Sequence, residues 1–313
     1  MKKAQFFYLL RRGFFAGGGG EWSALVNAFK TRVIADGGTL ESESCIRDDV
    51  KYLIQNPEPV AFTGLLNDYS GAAAAYSLRL LDNTYTGNAI KVRRASDNAE
   101  QDIAFSNNEL DTATLESFAS GTDAFVTTWY DQSGNGYDAT QTTASAQPQI
   151  VSGGTSLGYI ENKTDAINQY LVSSYAYDST KPFSSFITAQ DFGNGSLPIY
   201  GAILGSTGTT STNPYYALSM SGSTANAQGG FSNISYFADG SSIGTTRNDI
   251  HNAVSTFGLL STLATIDIST PNIKFGYHTN AFNGLRIKEF IVYDNQTISR
   301  TGVEDNIITH YGF

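Results

Sequence analysis

The sequence is poorest in the residues that do most covalent and metal chemistry. A single cysteine, Cys45, rules out a disulfide framework within the chain. Three histidines, His251, His278 and His310, have no cysteine partners at zinc-ligand spacing. No G-x-S-x-G elbow is present, so a Ser-His-Asp hydrolase finds no support. The glycine run Gly17–Gly20 lacks the Lys-Ser/Thr that would complete a phosphate loop. No run approaches the ~20 apolar residues of a membrane-spanning helix. Charge is also scarce, at 15% of residues, and most of the chain has too little Ala, Leu, Glu and Lys for long helices.

Basic residues are outnumbered, 19 against 29 acidic, for a net charge of −10. That balance argues against nucleic acid as a partner, which needs a basic surface. The shortage is uneven. Residues 1–20 hold Lys2, Lys3, Arg11 and Arg12 and no acid, so the remainder carries −14. The opening "MKKAQFFYLLRRGFFAGGGG" has a short apolar stretch interrupted by two arginines and no small-x-small cleavage site, so no signal peptide is expected and synthesis in the cytoplasm is.

What is present is glycine (31), tyrosine (18) and phenylalanine (19), with abundant Ser, Thr and Asn. This suits short strands joined by turns. Three segments follow. Residues 1–20 form a basic, aromatic arm. Residues 21–70 carry two helical patterns, Trp22, Leu25, Val26, Phe29 and Val33, then Ile46, Val50, Leu53 and Ile54. Residues 71–313 alternate apolar and polar side chains in "AYSLRL", "AFVTTW", "FSSFITA" and "LRIKEFIVY", separated by turn clusters. Many short strands with little helix between them predict an all-β sandwich or jelly roll. At the end, Val303, Ile307, Ile308 and Tyr311 share a helical face behind Ser299 as cap.

The densest motif is "FVTTWYDQSGNGYDATQ", Phe125 to Gln141. Gly134 and Gly136 supply positive φ, while Asp131, Ser133, Asn135 and Asp138 offer side-chain oxygens to nearby amides. A structural turn accounts for all of them. A calcium loop using Asp131, Asn135 and Asp138 is the alternative, although the ligand ladder and closing Glu of an EF-hand are missing. A catalytic pair within one turn would rarely set two carboxylates ~5–9 Å apart across a sugar. No cofactor is expected.

"TTWYDQSGNGYDATQTTASAQPQIV", "DAINQYLVSS", "PFSSFITAQ" and "FNGLRIKEFIVYDNQTISRTGVEDNIITHYGF" together resemble a concanavalin A-like lectin/glucanase (LamG-like) jelly roll over residues 72–313. The first half is similar to the catalytic domain of family 54 α-L-arabinofuranosidases. The resemblance implies two antiparallel sheets, a short helical region before them and a C-terminal helix. It also implies a carboxylate nucleophile and a carboxyl acid/base. By alignment, the nucleophile's strand resembles "PYYALSMSG" and its place falls near Ser221, while His278 in "GYHTNAFNG" takes the place of the acid/base. Neither side chain can form a glycosyl ester or donate a carboxyl proton, which leads to the expectation that the chain is not an enzyme.

"RVIADGGTLE" resembles segments found in bacteriophage virion proteins ahead of lectin-like heads. The resulting expectation is a virion structural protein, a spike, fibre or tail component. Residues 1–70 would attach it to other virion proteins, as a homo-oligomer and by analogy a trimer, and its head would bind host surface glycan. Tyr215, Tyr216, Tyr236, Tyr277 and His278 are the candidate glycan contacts, because they flank loops at strand ends and sugars stack on aromatic rings. The alternatives are a glycoside hydrolase of the α-L-arabinofuranosidase type and a bacterial carbohydrate-binding adhesin.

Overall fold

The strand Leu285–Tyr293 is the axis of the fold. On one edge its first half pairs with Thr155–Asn162 and its second half with Ala74–Ser77. On the other edge it pairs with Pro182–Asp191, which continues through Gly258–Ile266 and Phe231–Ala238 to Ser241–Ile243. A second layer is centred on Ala124–Trp129, flanked by Ile90–Arg94 on one side and by Ala139–Thr140 and Gln149–Ser152 on the other. It extends through Leu171–Ala176, Asn272–Phe275 and Gly201–Ser206 to Ala217–Ser219. The hairpin of Gln149–Ser152 with Thr155–Asn162 carries the hydrogen bonding from one layer into the other. These pairings are all antiparallel, and the expected all-β sandwich is what forms. The structure is a computed structural model and describes residues 62–163, 169–176, 181–192, 201–206, 217–219, 222–227, 231–266, 272–275 and 284–313. The arm at 1–20 and the helical patterns at 22–33 and 46–54 lie outside the described residues, as does their attachment role.

Alternation along the strands explains both faces of the axial sheet. Leu285, Ile287, Phe290 and Val292 point into the sandwich, and Tyr76, Trp129, Phe275 and Phe290 form its aromatic centre. Ring centroids there lie 5.2 Å apart for Phe275–Phe290 and 5.7 Å for Tyr76–Trp129, the edge-on or tilted spacing that aromatic quadrupoles favour. The intervening residues Ala75, Phe186, Leu259, Ile291 and Tyr293 face outward into a second apolar cluster. Two helices cover it, α1 (Leu65–Asp68) and the later helix Arg300–Tyr311, through Leu65, Leu66, Val303 and Ile307. With both faces covered, "EFIVY" reads as a continuous apolar run after Glu289.

Residues 63–70 pack with the β unit, which runs Thr63–Phe313. Leu65 and Leu66 are buried, contributing about 1.5–3 kcal/mol each. The chain also forms α2 (Thr112–Ala119) and α3 (Arg247–Val254) inside the strand-rich region. Each is announced by its cap. Asp111 accepts from the Thr114 amide at 3.0 Å, and Thr246 and Asp249 form a reciprocal capping box. The last helix, α4 (Arg300–Tyr311), starts at Ser299 and closes on Gly312 at φ +77°.

Candidate active site

The Asp131 turn is a fastening between the second layer and the first strand. Asp131 Oδ1 accepts from the amides of Ala75 and Ser133, both at 2.9 Å. Its Oδ2 accepts from Ser133 Oγ at 2.8 Å and the Tyr137 amide at 3.0 Å. Gly134 and Gly136 take φ of +84° and +75°, where a side chain would be strained. Asp138 Oδ1 accepts from the Asp131 amide, and Asn135 Nδ2 donates to the carbonyls of Ala72 and Ala73. Both Asp131 oxygens are occupied by donors, so the carboxylate is committed to structure. The three calcium candidates make separate contacts, Asp131 with four donors, Asp138 with the Asp131 amide and Asn135 with the carbonyls of Ala72 and Ala73. Among the described residues no group of three or more His, Cys, Asp or Glu could hold a metal. Gln132 extends the latch, accepting from the Leu81 amide and donating to the carbonyls of Ser77 and Arg79.

One buried ion pair sits on the outer face. Glu289 Oε2 accepts from Arg79 Nε at 2.7 Å, Ser77 Oγ at 2.7 Å and Tyr311 Oη at 3.2 Å, while Oε1 accepts from Arg79 Nη2 at 3.0 Å. Burial disfavours the guanidinium charge, but Glu289 outweighs it and Arg79 stands above its ordinary pKa. Both Glu289 oxygens face donors, so this pair holds α4 to the sheet and is not poised for chemistry.

A further carboxylate lies at the strand ends around Asp191. Asp191 stands opposite Leu285, which stands opposite Asn162 on the next strand. The Phe192 amide donates to Gly284 O at 2.8 Å, and Asn162 Nδ2 donates to Phe275 O at 3.3 Å, so four strand ends are tied into one rim. Asp191 is 7% exposed and its Oδ2 lies 3.5 Å from His251 Nδ1 on α3. Ile250 and Val254, buried in the core, fix the helix that presents His251.

Glu161 occupies the same end but the opposite face. It pairs in register with Arg286, whose Nε donates to Glu161 Oε2 at 2.9 Å while Nη1 donates to Gln190. Arg286 is stacked between Phe192 at 4.1 Å and Tyr159 at 4.8 Å. Successive strand residues face opposite sides, so Glu161 and Asp191 cannot flank one sugar as a carboxylate pair. A wide depression of about 680 Å³ elsewhere, beside α2, has Arg94 and Phe118 but no carboxylate in its lining.

Of the candidate glycan contacts, Tyr236 is fully buried in the core between the strands carrying Ile243 and Thr262, which corrects its expected place at the surface. An apolar ring at an inward strand position gains more from burial than from solvent. Tyr215, Tyr216, Tyr277 and His278, and also Ser221, lie outside the described residues. The Asp191–His251 contact joins residues 60 apart with no motif between them, so no local signal pointed to it.

A family model described as the catalytic domain of α-L-arabinofuranosidase B matches residues 68–194. A probable α-L-arabinofuranosidase B of Aspergillus flavus is 38% identical over 97 residues, 30% of this chain and 18% of that protein. The chain thus spans under a fifth of the length of this curated relative. Among solved structures, a mutant of a GH54 α-L-arabinofuranosidase soaked with 4-nitrophenyl α-L-arabinofuranoside aligns at TM-score 0.48 and 15% identity, over 76% of this chain and 62% of that one. An arabinofuranosidase complexed with arabinofuranosyl-α-1,2-xylobiose aligns over the same shares at TM-score 0.44 and 16% identity. The sequence matches correct the expectation of a non-enzymatic phage virion component. The matched model is that of a catalytic domain and the relative is a glycosidase, so they favour the glycoside hydrolase alternative.

Proposed function

We propose that this chain is a glycoside hydrolase acting on α-L-arabinofuranosides. The observation that carries this reading is the match of the catalytic family model to residues 68–194, a span that ends at the rim holding Asp191. The sandwich supports it by gathering four strand ends there, with a buried carboxylate and an imidazole in contact.

Hydrolysis of a glycosidic bond uses two carboxyl groups, one to protonate the leaving oxygen and one to attack the sugar or activate water. Ser221 and His278 stand where the resemblance sets that pair, so this chain draws on other carboxylates. Asp191 is the one best placed at the rim. His251 acts on it by position, through the 3.5 Å contact of its Nδ1 with Asp191 Oδ2. Glu161, held by Arg286, shapes the opposite face.

The test is release of 4-nitrophenol from 4-nitrophenyl α-L-arabinofuranoside. Asp191→Asn should lower kcat by at least ~100-fold, the usual scale for losing a catalytic acid or base. His251→Gln should lower it less. An Asp→Asn and Glu→Gln scan across residues 68–194 identifies the second carboxyl. No turnover above background by the folded chain overturns the proposal, and turnover that survives Asp191→Asn overturns the assignment of Asp191.

A further inference from the structure

A second cavity lies where the last helix meets the axial strand at Lys288. Its volume is about 370 Å³, within the range of ligand pockets, and its walls come from α4, the hairpin ending at Leu110 and the bulge at Lys288. The bulge arises because Thr188 pairs with Glu289 and Ala189 with Ile287, which leaves Lys288 unpaired in the ladder. Leu78 and Leu110 give an apolar floor, each 7% exposed.

The charges around this floor balance. Lys288 Nζ lies 4.6 Å from the Phe257 ring centroid and 5.3 Å from that of Tyr311, and forms no ion pair among the described residues. Burial pulls its pKa down. Glu109 also lines the cavity, its carboxyl pushed up by burial first and by Glu289. His310 Nε2 is 3.5 Å from Glu109 Oε1, and burial, aided by Arg79, holds the imidazole neutral down to about pH 4. Arg79 and Glu289 cancel one another beneath. One ammonium and one carboxylate remain, beside aromatic rings.

An anion would meet Glu109 and a cation Lys288. An apolar ligand would strip water from both without replacing its hydrogen bonds. A neutral ring bearing several hydroxyls satisfies all the walls: its hydroxyls donate to the carboxylate and accept from the ammonium, and its C–H face rests on leucine and aromatic surface. We propose that this cavity binds a neutral sugar unit, at a site separate from the Asp191 rim. It does not depend on the chain being a hydrolase.

The experiment is amide-resolved NMR titration of the full chain with L-arabinose, xylotriose and maltotriose, with sodium glucuronate as the charged comparison. At least one neutral sugar should saturably shift the Thr112, Gly158 and His310 amides. Lys288→Met should weaken that binding by about tenfold, the cost of a lost hydrogen bond to a charged group, and Glu109→Gln by severalfold. The exposed Glu109→Gln variant keeps the test valid if Lys288→Met folds poorly. Absence of hydrolysis in every form would leave the binding result standing. Three results overturn the proposal: no saturable shift with any neutral sugar, shifts confined to the Asp191 rim, or tighter binding of glucuronate than of every neutral sugar.

Discussion

Removing Arg79 should unfasten α4 from the sandwich. Its guanidinium donates twice to Glu289 and once to Asn306 Oδ1, at 3.0 Å, on that helix. The side chains of the pair are 9% and 0% exposed, so both ions are largely withdrawn from bulk water. In Arg79→Met the Glu289 carboxylate stays buried with only Ser77 and Tyr311 as donors. Breaking a buried pair on one side costs about 3–5 kcal/mol. For a unit of this size, each kcal/mol lowers Tm by about 2–4 °C, so a fall of roughly 10 °C is expected. The double variant Arg79→Met/Glu289→Leu removes both charges and with them the desolvation penalty. It should be more stable than Arg79→Met alone, yet short of wild type, because Ser77 Oγ and Tyr311 Oη lose their acceptor at about 1–3 kcal/mol each if no water replaces it. Urea denaturation of the four proteins completes the cycle. A cost for Arg79→Met below about 1 kcal/mol, or a double variant as unstable as the sum of the singles, would refute the reasoning from desolvation.

Asp131→Ala removes the acceptor of four donors at once, so it should cost about 2–4 kcal/mol in urea denaturation, and added calcium should leave the wild-type Tm unchanged because both carboxylate oxygens are already taken. His310 has its folded pKa depressed to about 4, so the unfolded chain binds the extra proton between about pH 6.5 and 4. Stability should therefore fall as pH drops through that window. His310→Gln should flatten this part of the Tm–pH curve, and an unchanged slope would show that the imidazole is not the group responsible. At Gly64 a Cβ would stand 2.1 Å from the Leu81 carbonyl oxygen, so Gly64→Ala must move backbone. A loss of about 1–3 kcal/mol is expected, and an unaltered denaturation midpoint would contradict the close approach.

Strand-period alternation and the turn residues were enough to predict a β-sandwich, because burial on one face imposes a period of two and positive-φ turns select glycine and asparagine. The cap before α4 was legible for the same local reason. α2 and α3 carried equally local signals, Asp111 and the Thr246–Asp249 box, but were masked by their strand-rich surroundings. The phage expectation leaned on the segment before residue 71, and the expected lack of activity rested on two positions, Ser221 and His278. Neither addressed residues 68–194, where the catalytic family model matches.

What the sequence determined by itself is whatever depends on neighbours in the chain: strand and turn pattern, caps, the Asx-rich latch from Asp131 to Asp138, and the scarcity of metal and thiol chemistry. Tertiary structure alone decided which charges meet. Arg79 and Glu289 are 210 residues apart, Glu161 and Arg286 are 125 apart, and Asp191 and His251 are 60 apart. Strand register sets the Glu161–Arg286 contact, where a shift of one residue would send each side chain to the other face, while chain paths beyond the strands bring Arg79 to Glu289 and the helix α3 brings His251 to Asp191. Tyr236 and Tyr311 show the same division. The sequence offered Tyr236 as a glycan contact and Tyr311 as part of a helical face, and only packing buries the first in the core and leaves the second lining a cavity.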